Sequence, residues 1–154
     1  MFILFAGPSC SGKSTAARTI ASSLNCQIYT GKDYLRLAKN EQEAWGKFIE
    51  ICRQAATKPV VGEHSVIYIV NDLERFNELV EIKALKILFD AEQNVLEERF
   101  KPRTGGMLPP PVKIMLQRQK QKWSTVAVDH AVDTTLTSTE ESAAAVWNKI
   151  KESE

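Results

Sequence analysis

Residues 7 to 14 read Gly7, Pro8, Ser9, Cys10, Ser11, Gly12, Lys13 and Ser14, satisfying the pattern G-x-x-x-x-G-K-[ST] in full. Two glycines at that spacing permit a tight loop whose N–H groups converge, and a helix beginning near Lys13 adds the positive end of its dipole. Such a concavity binds phosphate. The Lys13 ammonium would reach the outer phosphates of a nucleoside triphosphate, and the Ser14 hydroxyl would hold the Mg²⁺ that bridges them, with Thr15 next in the helix. The expected nucleotide-binding set is Gly7 through Thr15, and the expected cofactors are ATP and Mg²⁺.

The pattern carries meaning only between a strand and a helix, and its flanks comply. Phe2 to Ala6 is an apolar run suited to a buried parallel strand, and Ala16, Ala17, Ile20, Ala21 and Leu24 recur at helical spacing. Downstream, strands are expected at Cys26–Tyr29, Ser65–Val70, Ala84–Phe89 and His130–Val132. Helices are expected over Lys32–Lys39, Glu41–Ala56, Leu73–Val80, Glu92–Phe100 and Val112–Trp123, with a last one from about Ser138, where Ser138 and Glu141 form a capping box. Strands alternating with helices require right-handed crossovers. The expected fold is therefore α/β and three-layered, a five-stranded parallel sheet with helices on both faces and ligands at the strands' C-terminal ends; the expected strand order is 2-3-1-4-5.

A chain of 154 residues suits one domain and needs no disulfide. Cys10, Cys26 and Cys52 show neither C-x-x-C spacing nor a Cys/His cluster, so a zinc site is not expected and a reducing cytoplasm fits best. Net charge is +1, which gives no global field for a nucleic-acid polymer or a membrane; a monomer or homodimer is expected. The local distribution says more: Arg99, Lys101, Arg103, Lys113, Arg118, Lys120 and Lys122 follow one another without an acid between them. That segment faces something anionic. The N-terminal apolar stretch is too short to span a bilayer, lacks basic flanks and is not read as a targeting sequence.

Thr30, Gly31, Lys32, Asp33, Tyr34, Leu35, Arg36, Leu37 and Ala38 resemble the T-G-D-M-L-R-A segment of adenylate kinases with one residue inserted. The chain resembles the nucleoside monophosphate kinase family over nearly its whole length. That resemblance implies Thr30 near the acceptor base and Arg36 on the acceptor phosphate. Leu96, Glu97, Glu98 and Arg99, with the Pro/Gly-rich stretch and basic helix that follow, resemble the lid of the same family and of dephospho-coenzyme A kinases. There the first arginine, here Arg99, stacks on the donor base, while Arg103 and Arg118 would surround the migrating phosphoryl group. Asp129 to Thr135 resembles the fifth strand and adenine-contacting loop, implying Thr135 at the donor. At the third strand the family carries D-G-F-P-R and this chain Asn71, Asp72, Leu73, Glu74 and Arg75. Only the aspartate and arginine match, which leaves Arg75 for the acceptor phosphate and makes the acceptor less defined than the donor.

Two carboxylates stay open between roles. Asp72 could hold a Mg²⁺-bound water or cap the following helix, and Asp33 could act as a base toward an acceptor hydroxyl, as in shikimate kinases, or cap its own helix. Trp45, Phe48, Ile49 and Cys52 fit a core stripe at helical spacing, or a wedge for an acceptor base. His64 and His130 have no catalytic partner at recognisable spacing. The reading that results is a P-loop kinase, a transferase moving the γ-phosphoryl group of Mg-ATP to a small acceptor, with a nucleoside monophosphate as the acceptor the resemblance implies. Residues 1–154 form one domain, with an acceptor-binding helical region over about 30–62 and a lid over about 100–111. Dephospho-coenzyme A, a shikimate-like acid or a nucleoside are the alternative acceptors. An ATP-binding regulatory module without kinase activity is the alternative of another class.

Overall fold

The computed structural model describes residues 1–154. Its strands are β1 (Phe2–Ala6), β2 (Gln27–Thr30), β3 (Val66–Ile69), β4 (Leu85–Asp90) and β5 (His130–Asp133). Its helices are α1 (Lys13–Leu24), α2 (Glu41–Ala56), α3 (Leu73–Glu78), α4 (Gln93–Phe100), α5 (Pro110–Trp123) and α6 (Thr139–Glu152). All strand pairs are parallel, as the alternation of strands and helices requires, and the sheet order is β2-β3-β1-β4-β5.

The central strand shows why the layers form. Successive side chains of β1 point to opposite faces. Phe2, Leu4 and Ala6 join one core with Phe48 of α2, Phe76 of α3 and Trp123 of α5, whereas Ile3 and Phe5 join a second core with Ala16 and Ile20 of α1 and Val146 and Ile150 of α6. Every residue of β1 is buried, so the phosphate loop that follows springs from the buried centre of the sheet. Trp45 and Phe48 belong to an aromatic cluster with Tyr34 and Tyr68, which makes them core residues.

Three local expectations are corrected. The helix expected over 32–39 is only a 3-10 turn, Asp33–Leu37. There the Asp33 carboxylate accepts from the Thr30 N–H at 2.9 Å and closes a turn, while Asn40 caps a new helix through the Glu43 N–H at 2.8 Å. Helix α5 starts at Pro110, not Val112, because Pro110 and Pro111 fall in the first turn, where an N–H has no intrahelical partner. Within the 101–111 stretch, Lys101–Thr104 is a further 3-10 turn ending at Gly105 with φ +71. The Ser138/Glu141 capping box forms as expected.

Parallel register brings all five strand ends to one edge: Ala6 lies beside Leu88, and Thr30 beside Ile69. The segments leaving that edge carry the site. No helix is long and apolar enough to cross a membrane.

Candidate active site

The loop from Gly7 to Gly12 turns sharply out of β1, and its geometry requires glycine at Gly7. With φ +137 there, a Cβ would stand 2.1 Å from the Phe89 carbonyl oxygen of β4. Gly12 also has positive φ, as does Cys10, whose side chain makes its left-handed conformation costly by about 1–3 kcal/mol. The result is a run of free donors. The amides from Cys10 through Thr15 donate to no carbonyl or side chain of the protein, and they open onto the start of α1. Into the loop folds the Lys13 side chain, 7% exposed, whose Nζ donates to the carbonyls of Gly7 and Pro8 at 2.7 Å each. Burial pulls its pKa from 10.5 down to about 8, with Cys10 opposing and Arg103 adding to the fall.

Two cavities meet at this loop. One, of about 480 Å³, runs from Cys10–Ala16 past Arg99 and Arg103 to Thr134, Thr137, Ser138, Thr139 and Ser142. The other, of about 400 Å³, lies across the loop between Gly7, Ser9, Thr30, Asn71, Gln119 and Trp123. Cys10, Lys13, Ser14 and Arg103 line both. Two cations therefore stand at the junction, one from the loop and one from the 3-10 turn after α4.

Long-range side-chain bonds hold the loop in place. The Arg99 guanidinium donates to the Cys10 carbonyl at 3.1 Å, to Thr134 Oγ1 at 3.0 Å and to the Thr134 carbonyl, while Thr134 Oγ1 donates to the Ser11 carbonyl at 2.8 Å. From the other side, Gln119 Oε1 accepts the Ser9 N–H at 2.9 Å, and Lys120 Nζ grips both Asp90 oxygens at 2.9 Å and the Ala91 carbonyl. Helix α5 is thereby tied to the loop and to the end of β4. Gln119, Lys120, Asn71, Thr134 and Trp123 were not among the residues expected from sequence. A polar Gln119 between the buried Leu116 and Trp123 of α5 was the one signal that could have found them.

The expected residues separate into two groups. The loop residues, Thr30, Arg99 and Arg103 come together around the two cavities. Asp72, Asp33, Arg36, Arg75, Arg118 and Thr135 line neither. Asp72 caps α3 by accepting the Arg75 N–H at 2.8 Å, and Asp33 is spent on Thr30 as described. Arg75 lies 4.3 Å over the Trp45 ring and pairs with Glu41 and Glu78. Arg36 covers the Tyr29 ring at 4.5 Å, and Arg118 is on the exposed face of α5. Thr135 accepts from the Glu92 N–H and donates to Asp133, so its neighbour Thr134 is the residue that faces the cavity.

The donor set fits a triphosphate and Mg²⁺. Free consecutive amides beside a buried ammonium match an anion's oxygens. No group of three His, Cys, Asp or Glu side chains that could hold a metal ion gathers anywhere. Mg²⁺ needs none when phosphates and waters complete its shell, and the exposed Ser14 hydroxyl between the cavities is the residue that would hold it.

No family model and no curated sequence matches the chain. Solved structures do. A shikimate kinase from Bacteroides thetaiotaomicron is 16% identical over 98% of both chains, with a TM-score of 0.64. A gluconokinase from Sinorhizobium meliloti is 18% identical over 97% of this chain and 91% of its own, with a TM-score of 0.66. The YorR protein of Bacillus subtilis, in complex with phosphorylated GDP, is 17% identical over 98% and 96%, with a TM-score of 0.65. With its parallel 2-3-1-4-5 sheet and its phosphate loop after the first strand, the chain has the fold of the small P-loop kinases.

Proposed function

We propose that the protein is a small-molecule kinase that transfers the γ-phosphoryl group of Mg-ATP to an acceptor bearing its own anionic oxygen, with a nucleoside monophosphate as the acceptor class. The observation that carries the reading is the meeting of two cavities at Lys13, Ser14 and Arg103. The triphosphate lies along the free amides in the larger cavity, its outer phosphate at Lys13, and the acceptor enters from the side of Thr30, Asn71 and Trp123. When bound, Mg²⁺ neutralises charge on the phosphate oxygens. Lys13 and Arg103 hold positive charge at the junction, where it stabilises a transferring group more than either ground state. The turn and loop over 101–109, between α4 and α5, act as the lid that excludes water, and the segment over 30–62 forms the acceptor side.

The acceptor class follows from what the smaller cavity lacks. Both carboxylates next to its lining accept from backbone N–H groups, Asp33 from Thr30 in a turn and Asp72 from Arg75 as the cap of α3, and no Asp or Glu lines it. A hydroxyl acceptor profits from a base that takes its proton; a phosphate oxygen is already ionised. YorR, with its phosphorylated GDP, supports a nucleotide reading by fold. Shikimate kinases and the gluconokinase share the fold equally, so a hydroxy-acid acceptor is the second reading.

Coupled ADP release with Mg-ATP, over a panel of nucleoside monophosphates, dephospho-coenzyme A, shikimate, gluconate and nucleosides, tests this, with Lys13→Met as the blank. Stimulation by a monophosphate is expected. Stimulation by hydroxyl acceptors alone overturns the acceptor class, and none at all, with ATP bound, overturns the kinase reading in favour of a regulatory binder.

A further inference from the structure

One part of the larger cavity's wall is made of hydroxyls: Thr137, Ser138, Thr139 and Ser142. No Asp, Glu, Asn or Gln side chain lines any part of that cavity; of the fixed side-chain donors that do, Arg99 is engaged by the Cys10 and Thr134 carbonyls and Thr134 Oγ1, and Lys13 and Arg103 stand at the junction with the smaller cavity. Side chains with a fixed donor or acceptor are what allow a site to reject the wrong base, and a site built on them discriminates by as much as about 10⁴–10⁵. Hydroxyls are different, because each donates and accepts and its proton rotates.

Thr137 Oγ1 and Ser142 Oγ lie 2.6 Å apart, and either can be the donor. In such a pair one hydroxyl gives its proton to the other. The receiving hydroxyl keeps its own proton for an outside acceptor, and the giving hydroxyl keeps a lone pair for an outside donor. Reversing the pair exchanges these roles at fixed positions. Adenine presents an amino donor beside a ring-nitrogen acceptor, whereas guanine presents a carbonyl acceptor beside a ring N–H donor. The two edges differ by the same exchange. Ser142 is buried on α6, which fixes the pair's position, while its proton order stays free.

We infer that the donor site does not discriminate between purine bases, so that GTP serves as phosphoryl donor with an affinity within about tenfold of that of ATP. The inference rests on the kinase reading for the identity of this cavity as the donor site. It also locates the base at the Thr137–Ser142 pair.

Calorimetric titration of the full chain with Mg-ATP, Mg-GTP and Mg-tripolyphosphate tests it, alongside Thr137→Asp, folded by circular dichroism. Thr137 sits in the partly exposed turn before α6, and an aspartate there is a fixed acceptor that favours guanine's two donors. The expected results are comparable binding of ATP and GTP by the wild type and a preference for GTP of at least about tenfold in the variant. A preference for either nucleotide well beyond about tenfold in the wild type, or an unchanged ratio in the folded variant, overturns the inference and leaves the kinase reading standing. Tripolyphosphate binding as tightly as both nucleotides removes the base from this wall and overturns it too. Failure of all three to bind overturns the triphosphate site itself, and both readings with it.

Discussion

The buried Lys13 ammonium is a local cost to stability that pH can expose. Its pKa falls from 10.5 to about 8 because burial strips water from the charge. Between those values the folded protein has released the proton that the unfolded chain still holds, so the unfolded state binds more protons and stability rises with pH. Below about pH 8 the opposition of Lys13 to folding is complete, and by pH 10.5 it is nearly gone. A drop of that size corresponds to about 3 kcal/mol, a sizeable fraction of the ~5–15 kcal/mol that holds a domain folded. Urea unfolding of the wild type and Lys13→Met across this range isolates the effect, because every other titrating group is common to both. The wild type should gain about 3 kcal/mol relative to Lys13→Met between pH 7 and pH 10.5. A difference that stays flat across the window would refute the placement of a desolvated ammonium inside the loop.

Gly7→Ala drives a Cβ to 2.1 Å from the Phe89 carbonyl and is strained at φ +137, for a loss of about 2–6 kcal/mol in chemical unfolding. Gly12→Ala, whose Cβ meets only Thr134 Cγ2 at 3.9 Å, should lose only the backbone part, about 1–3 kcal/mol. Arg103→Ala should lower kcat about a hundredfold or more with the fold intact, as loss of a charge that lines both cavities requires. Arg75→Ala should instead cost about 1 kcal/mol of stability, by thermal melting, and leave the acceptor KM unchanged, since its guanidinium is engaged by Trp45, Glu41 and Glu78.

The parts of the molecule readable from sequence are those fixed by short-range pattern. The phosphate loop was legible because its glycines, lysine and serine are contiguous and its flanks are an apolar run and an amphipathic helix. The parallel sheet followed from the crossover rule once strands and helices alternated, whereas its order 2-3-1-4-5 came with the P-loop fold that the resemblance implied. What escaped depends on contacts between distant segments. The Ser9–Gln119 bond joins residues 110 positions apart, and only the packing of Leu116 and Trp123 into the core decides that Gln119 faces the loop. The same limit explains the carboxylates: Asp33 and Asp72 each had two readings in sequence, and a turn-closing bond from the Thr30 N–H claimed the first and a capping bond from the Arg75 N–H the second. Arg36 and Arg75 matched family positions, yet the aromatic cluster beside β2 and β3 offers their guanidinium groups Tyr29 and Trp45 as stacking partners. Thr135 missed the cavity by one residue, because at the end of a strand successive side chains take opposite directions.

The most direct test follows the phosphorus itself. The protein is incubated with Mg-ATP labelled at the γ position and the acceptor that stimulates ADP release, and the products are separated. The account predicts label on the organic acceptor, little in inorganic phosphate, and none transferred by Lys13→Met or, within the same time, by Arg103→Ala. Label found only in inorganic phosphate, or transferred equally by Lys13→Met, would contradict it.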